Sequence, residues 1–460
     1  MKQITPAKIA TVCNGIYYGS EKVKDTEVSS ITTDSRNITV NGLFIAIKGA
    51  RTDGNKFISD MYTSGAICCI SENDPKDDYT DFLQEKAFIQ VESCYQALKD
   101  IAEYYRIVCN TKIIGITGSV GKTTTKEMIA SVLSEHFNTL KTQGNYNNEV
   151  GVPLTLFRLR EEHEIAVVEM GISEFGEMTR LSQIAKPDIC VITNIGQCHL
   201  ETLGDRDGVL KAKTEIFSHM ASDGKVYLNG DDDKLRNITE VNGIKPVYYG
   251  IDRGCDVFAD NIINSGLDGI YFDAVTKNQR IALHISVPGM HMVLNALAAV
   301  AIAIDLDMTA EEIAAGINKF VPVGGHSNII KTDKFTIMDD CYNANPVSMK
   351  AAIDVLAGAH GRKVAVIGDM FELGTGEKML HYDIGTYAVN SGIDCIICVG
   401  ELAKQYVMGA LATDENHNVL YYEDTQKAAE MVKSLVKKGD SILVKASHAM
   451  EFEKIVAILK

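Results

Sequence analysis

Residues 112–130 read KIIGITGSVGKTTTKEMIA, and the reading of this stretch decides the fold. The opening KIIGIT is apolar and rich in β-branched residues, the pattern of a parallel strand buried on both faces. Gly118-Ser119-Val120-Gly121 follows, then Lys122-Thr123-Thr124 and a helical pattern. Strand, glycine loop, Lys-Thr and helix together make a phosphate-binding loop. Glycines let the backbone approach a polyphosphate, and the amides at the helix start point at anionic oxygen. Lys122 adds a mobile positive charge, and Thr123 offers a hydroxyl to Mg²⁺. Ile116 stands where the usual G-x-x-x-x-G-K-T has its first glycine, so the chain carries a variant, T-G-x-x-G-K-T-T. The bland alternative, a glycine turn between strand and helix, does not explain the Lys-Thr pair at this offset.

Downstream, residues 141–156, KTQGNYNNEVGVPLTL, are too rich in Gly, Asn and Pro for a regular helix and read as a substrate loop beside the phosphate site, with a solvated connector as the alternative. EIAVVEMG is a strand ending in Glu169, and an acid at the end of a neighbouring strand carries Mg²⁺ in P-loop enzymes. PDICVITNIG is a further strand, with His199 just beyond it at the edge where α/β sites gather. Lys211 and Lys213 lie on a helical segment and read by composition as solvated charges. Residues 224–288 turn to short strands separated by turn signals, and the parallel pattern gives way. Two helices follow over 290–306 and 309–320, the second opened by a Thr309/Glu312 capping box.

PVGGH, residues 322–326, is a hinge and a domain boundary. Beyond it, strand and helix alternate five times, which predicts a doubly wound Rossmann-like sheet. On the N-terminal side, residues 92–106 form an amphipathic helix with Ala97, Leu98, Ile101 and Tyr105 on one face, joining two domains. Before it, Asp34-Ser35-Arg36 and Lys48 lie on loops between short strands. The expected architecture is α/β in three domains: residues 1–90, a central P-loop ATPase-type parallel sheet over 91–322, and the doubly wound domain over 323–460.

The 460 residues are 46% hydrophobic and 23% charged, the balance of a soluble globular protein. A net charge of −16 argues against a broad nucleic-acid surface, so anionic ligands must be held by local groups. The longest apolar run, residues 293–304, is too short to span a bilayer and reads as a buried helix. Cys395 and Cys398 fall in an apolar strand and read as core thiols. With no export signal in the sequence, a reduced cytoplasmic chain is expected.

These segments together resemble the Mur ligase family, ATP-dependent amide-forming enzymes of peptidoglycan precursor synthesis. The resemblance rests on the variant loop, on GNYNNEVGVPL (144–154), NIGQCHLETL (194–203), DDCYNANP (339–346) and GDMFELG (368–374), and it covers nearly the whole chain. GNYNNEVGVPL, DDCYNANP and GDMFELG point within the family to the member that joins D-alanyl-D-alanine to UDP-N-acetylmuramoyl-tripeptide. They speak against a sibling that adds a single amino acid and against a folylpolyglutamate-type ligase.

The resemblance implies ATP and Mg²⁺ as cofactors and a monomer. It assigns Asp34, Ser35, Arg36, Lys48, Asn145 and Asn148 to the UDP-substrate. Gly118 to Thr124, Asn295, His326 and Asp340 would bind ATP; Asn343, Asn345 and His448 would bind the dipeptide. Thr123, Glu169, His199 and Lys213 match metal positions, Lys213 as the lysine that the family carbamylates, which turns a cation into an oxygen ligand. Three positions depart from the family pattern. Met292 replaces an Asn, and His326 and His448 replace arginines, losing permanent charge and a forked donor. A paralogue that binds precursor without catalysis is the alternative these departures raise.

Overall fold

Short β-branched runs need a second layer to bury them, and here they assemble into three sheets, each flanked by helices. The computed structural model describes residues 1–49, 52–75, 78–322 and 328–460. The first sheet joins β1 (Ile16–Gly19), β2 (Ile31–Thr32), β3 (Leu43–Ile45), β4 (Cys68–Ser71) and β5 (Ala87–Gln90) in the order β1-β5-β4-β3-β2, parallel except for β1.

The second sheet holds β6 (Lys112–Thr117), β7 (Thr139–Lys141), β8 (Ile165–Glu169), β9 (Ile189–Ile192), β10 (Lys225–Asn229), β11 (Val247–Gly250), β12 (Val257–Asn264), β13 (Ile270–Val275) and β14 (Arg280–Ile285). Its order is β14-β13-β12-β11-β10-β9-β6-β8-β7. The parallel pattern persists further than the sequence suggests: β10, β11 and β12 pair parallel, and only β12-β13-β14 run antiparallel. Strands of four or five residues are too short to display their pairing sense in the sequence. The alanine-rich helix Met290–Asp305 and the loop helix Lys122–Leu133 pack into one core against this sheet.

The third sheet holds β15 (Asn328–Lys331), β16 (Thr336–Asp339), β17 (Lys363–Gly368), β18 (Cys395–Val399), β19 (Val419–Tyr422) and β20 (Ser441–Lys445), ordered β15-β16-β20-β17-β18-β19. All pairs are parallel except the edge pair β15-β16. Met349, Ile384 and Tyr406 from three helices fill one face, and Val432 and Ile455 from two others fill the opposite face, so the domain is doubly wound as expected. Cys395 and Cys398 are fully buried in β18.

Helix Cys94–Cys109, capped by Ser93, buries Ala97, Leu98, Ile101 and Tyr105 in a single core shared by the first and second sheets. Tyr105 donates to Leu159 O at 2.7 Å, and Arg106 binds Ala185 O at 2.9 Å and Asp188 at 2.8 Å, fastening the helix to the central domain. The Thr309/Glu312 capping box is present. One expectation is corrected: Gly151–Leu156 is helical. Pro153 falls in its first turn, where no N–H is needed, and the Asn148 side chain accepts from the Gly151 amide at 2.8 Å. Among the described residues no helix is long and apolar enough to cross a membrane.

Candidate active site

The phosphate-binding loop is held from beneath by the segment after β9. Asn194 accepts from the Val120 amide at 3.0 Å and donates to Val120 O at 2.9 Å; Thr193 donates to the same carbonyl at 2.6 Å. Ser119 Oγ accepts from the Gly196 amide at 2.8 Å. At Gly118, with φ +152°, a Cβ would stand 1.9 Å from Thr193 Oγ1, so no other residue fits. Gly121, at φ +80°, starts the helix Lys122–Leu133, whose first amides have no partner within the helix and face the cleft. Lys122 folds back, its Nζ donating to Gly118 O at 2.8 Å.

Above this loop lies a cleft of about 640 Å³ between the second and third sheets. Ser119 to Thr124, Asn145, Asn148, Glu169, His199 and Asn295 line it from one side, and Asp340, Asn343 and Asn345 from the other. The structure thus gathers most of the expected ATP, metal and dipeptide positions around one cavity.

Glu169, 1% exposed, ends β8. Its Oε1 accepts from Asn147 Nδ2 at 2.8 Å, and its Oε2 is buried with no hydrogen-bond partner. Lys126, 0% exposed and one helical turn after Lys122, places its Nζ 3.7 Å from that oxygen and 3.1 Å from Glu127, which in turn pairs with Lys141. A buried carboxylate with one hydrogen-bonded oxygen and one that meets only a cation at 3.7 Å keeps a lone pair for a further ligand. Asn147 and Lys126 were not singled out from the sequence. Asn147 sits inside an already suspicious Asn-rich run, whereas Lys126 reads as one more surface lysine.

Lys213 is 1% exposed, which overturns its reading as a solvated charge; Lys211 beside it is exposed and stacks over Phe175. Burial, aided by the nearby Lys122 charge, lowers the Lys213 amine to about 8. His199 has φ +50° and contacts Glu372 of the third domain, Nδ1 to Oε2, at 2.7 Å. Its imidazole is lowered first by burial and further by Lys213 and Lys122, against the pull of Glu372.

On the third-domain side, Lys445 Nζ lies 2.5 Å from Asp340 Oδ2 and 3.0 Å from Asn343 O. Asn343 turns its Oδ1 to the Ala344 amide, and Asn345 caps the helix Pro346–Ala357 through the Ser348 amide at 2.9 Å. Tyr342 lines the cleft with Asn145, within electrostatic reach of it, and lies 5.7 Å, ring centre to ring centre, from His448, which is exposed outside the cleft lining.

Asn295 accepts from Thr125 Oγ1 at 3.0 Å, and its Nδ2 meets the Met292 sulfur at 3.8 Å. Met292 is buried in the core and outside the cleft lining, so this position presents its sulfur to Asn295 and nothing to the cleft. His326 lies outside the described residues. Asp34 is occupied by Arg36, at 2.9 and 2.7 Å; with Ser35 and Lys48 they stand outside the cleft, Arg36 within electrostatic reach of Tyr146.

Three family models match in series: the Mur ligase family catalytic domain over residues 27–106, the Mur ligase middle domain over 116–303, and the Mur ligase glutamate ligase domain over 325–448. The chain is 35% identical over 458 residues to the UDP-N-acetylmuramoyl-tripeptide–D-alanyl-D-alanine ligase of Bacillus subtilis, covering 98% of this chain and 97% of that one. Among solved structures, MurF from Acinetobacter baumannii superposes with a TM-score of 0.89 at 33% identity, covering 99% of each chain. MurF ligase from Thermotoga maritima in complex with ADP superposes with a TM-score of 0.81 at 28% identity, covering 93% of this chain and 96% of that one.

Proposed function

The chain belongs to the Mur ligase family, and from that premise we propose that it joins D-alanyl-D-alanine to UDP-N-acetylmuramoyl-tripeptide at the expense of ATP, in peptidoglycan precursor synthesis. The observation that carries this reading is the single cleft in which a phosphate loop, the orphaned Glu169 oxygen and the third-domain DDCYNANP segment face one another. In this reading residues 1–90 grip the UDP end through Asp34, Ser35, Arg36 and Lys48, residues 91–322 hold ATP, and residues 323–460 present the dipeptide through Asn343, Asn345 and His448. The enzyme works as a cytoplasmic monomer.

The residues fit Mg²⁺. Glu169 Oε2 is a buried oxygen that takes no hydrogen bond and has only the Lys126 ammonium 3.7 Å away, His199 lines the same cleft, and Thr123 lies in the first turn of the loop helix. Among the described residues no three His, Cys, Asp or Glu side chains form a ready-made metal cage. Mg²⁺ suits such a site, because it is commonly held by one or two protein groups together with substrate phosphates. When bound it offsets the charge of the phosphates. Lys213, with its amine lowered to about 8, has a substantial neutral fraction near neutral pH, the form that takes up CO₂ to become a carbamate ligand.

The chemistry requires two anions to meet. The tripeptide carboxylate attacks the γ-phosphate, giving an acyl phosphate and ADP. Lys122, on the flexible arm now resting on Gly118 O, supplies positive charge where negative charge accumulates. The dipeptide amine then attacks the acyl carbon, phosphate leaves, and the amine proton is lost. The third domain, facing the loop across the cleft, excludes the water that would otherwise hydrolyse the acyl phosphate.

The test is phosphate release from ATP with UDP-tripeptide and a panel of acceptors. D-Ala-D-Ala should support turnover and single amino acids should not; equal rates with a single amino acid would refute the assignment.

A further inference from the structure

One carboxylate beside the cleft meets a cleft residue and belongs to neither the phosphate loop nor the metal positions. Glu372, in the GDMFELG segment after β17, crosses from the third domain and places Oε2 2.7 Å from His199 Nδ1. An exposed ion pair of this kind contributes little to stability on its own. The surroundings show that the contact is built. His199 at φ +50° and Glu372 at φ +61° both occupy the left-handed region, which non-glycine residues adopt only when the structure holds them there. Gly374, at φ +66°, lies against the Glu201 backbone on the first turn after His199, where a Cβ would stand 3.5 Å from the Glu201 amide nitrogen. The loop is therefore seated beside His199 at two points.

An imidazole that ligates a metal through one nitrogen commonly gives its other N–H to a carboxylate, which fixes the tautomer, aims the ring and raises its basicity as a ligand. Glu372 engages Nδ1, leaving Nε2 as the nitrogen with a free lone pair. We propose that Glu372 is the positioning residue for His199 in the metal site, so that a central-domain ligand is aimed by a carboxylate from the third domain. This rests on the metal reading above and deepens it. Occupancy of the metal site and docking of the acceptor-binding domain then become linked, since each favours the state in which Glu372 meets His199.

The test uses the full chain with Mn²⁺ as the spectroscopic probe and ADP present, reading Mn²⁺ affinity by titration and imidazole coordination by ¹⁴N spin-echo modulation. Glu372 is largely exposed, so its truncation leaves the cores intact. Glu372→Ala should weaken Mn²⁺ by about 10–100-fold and broaden or diminish the ¹⁴N signal. Glu372→Gln keeps an oxygen that accepts from Nδ1–H and should recover most of the affinity. In the His199→Asn background, Glu372→Ala should cost nothing further. Unchanged Mn²⁺ affinity and ¹⁴N modulation in Glu372→Ala, while His199→Asn loses both, would overturn this inference alone. A His199→Asn variant that keeps wild-type affinity would overturn the metal reading, and this one with it.

Discussion

The central sheet meets its two neighbours through opposite materials. Toward the first sheet the junction is dry: helix Cys94–Cys109 runs through a core that both sheets share, sealed by Tyr105 and Arg106 bonds. Toward the third sheet it is polar and hollow, a cleft of about 640 Å³ crossed by single contacts such as His199 to Glu372 and Tyr342 to Asn145. The third domain keeps its own cores, with Leu267 the central-domain side chain packed against them among the described residues. A shared core fixes two bodies as one, whereas sparse polar contacts allow opening at little cost. The difference places rigidity between the first two sheets and freedom on the side that faces the phosphate loop.

The strongest way to break this comparison is to show that a cleft residue holds the fold or that a core residue runs the chemistry. Lys122→Ala should lower turnover by about 10³-fold or more, because charge is removed where the transition state gathers it. Its unfolding free energy should stay within about 0.5 kcal/mol of the parent, since its Nζ bonds only a loop carbonyl. Ile101→Ala should do the reverse. It opens a cavity in the shared core and should cost about 2–5 kcal/mol by denaturant unfolding, with kcat nearly unchanged in the folded fraction.

Lys213→Ala should cost on the order of 10²-fold in turnover, about 2.7 kcal/mol. The parent should lose activity when CO₂ is stripped and regain it with bicarbonate, and the variant should do neither. The sign of the pH effect follows from the amine at about 8. Its neutral, CO₂-reactive fraction grows as pH rises toward and past 8, so at fixed dissolved CO₂ the carbamate-dependent activity should rise over that range.

What the sequence made legible were features written in consecutive residues. The glycine loop, Glu169 at a strand end and the alternating third domain each have a local period or offset. Lys213 was misread by composition although a local signal existed: Val209, Ala212 and Ile216 form a buried helical stripe, and Lys213 lies within it. Composition weighs a lysine as solvated, while periodicity places this one inside. Lys126 had no such signal, and Glu372 stood in GDMFELG, a segment that marked the family without singling out this carboxylate. Their significance depends on which carboxylate or imidazole lies opposite them, from β8 in one case and from another domain in the other. Asn345 shows the reverse situation. The family resemblance implies a dipeptide role for it, and the structure employs its Oδ1 as a helix cap, so one side chain both starts the helix Pro346–Ala357 and lines the cleft.

The smallest effect sharpens the comparison most, because it touches only the hollow junction. Tyr342→Phe removes one hydroxyl, and with it any hydrogen bond made to Asn145 across the cleft, while leaving the ring beside His448. A bond of this kind is worth about 0.5–1.5 kcal/mol, so the contact between the two domains should weaken by up to about tenfold. If that contact belongs to the closed state and to no core, the loss should appear as a raised KM for the acceptor and a wider distribution of shapes in solution scattering. The unfolding transition should not move, since the third domain's apolar cores are separate from those of the central sheet. A lowered transition temperature at unchanged KM would mean that the polar junction carries stability as the dry one does, and the division between a fixed half and a mobile half would fall.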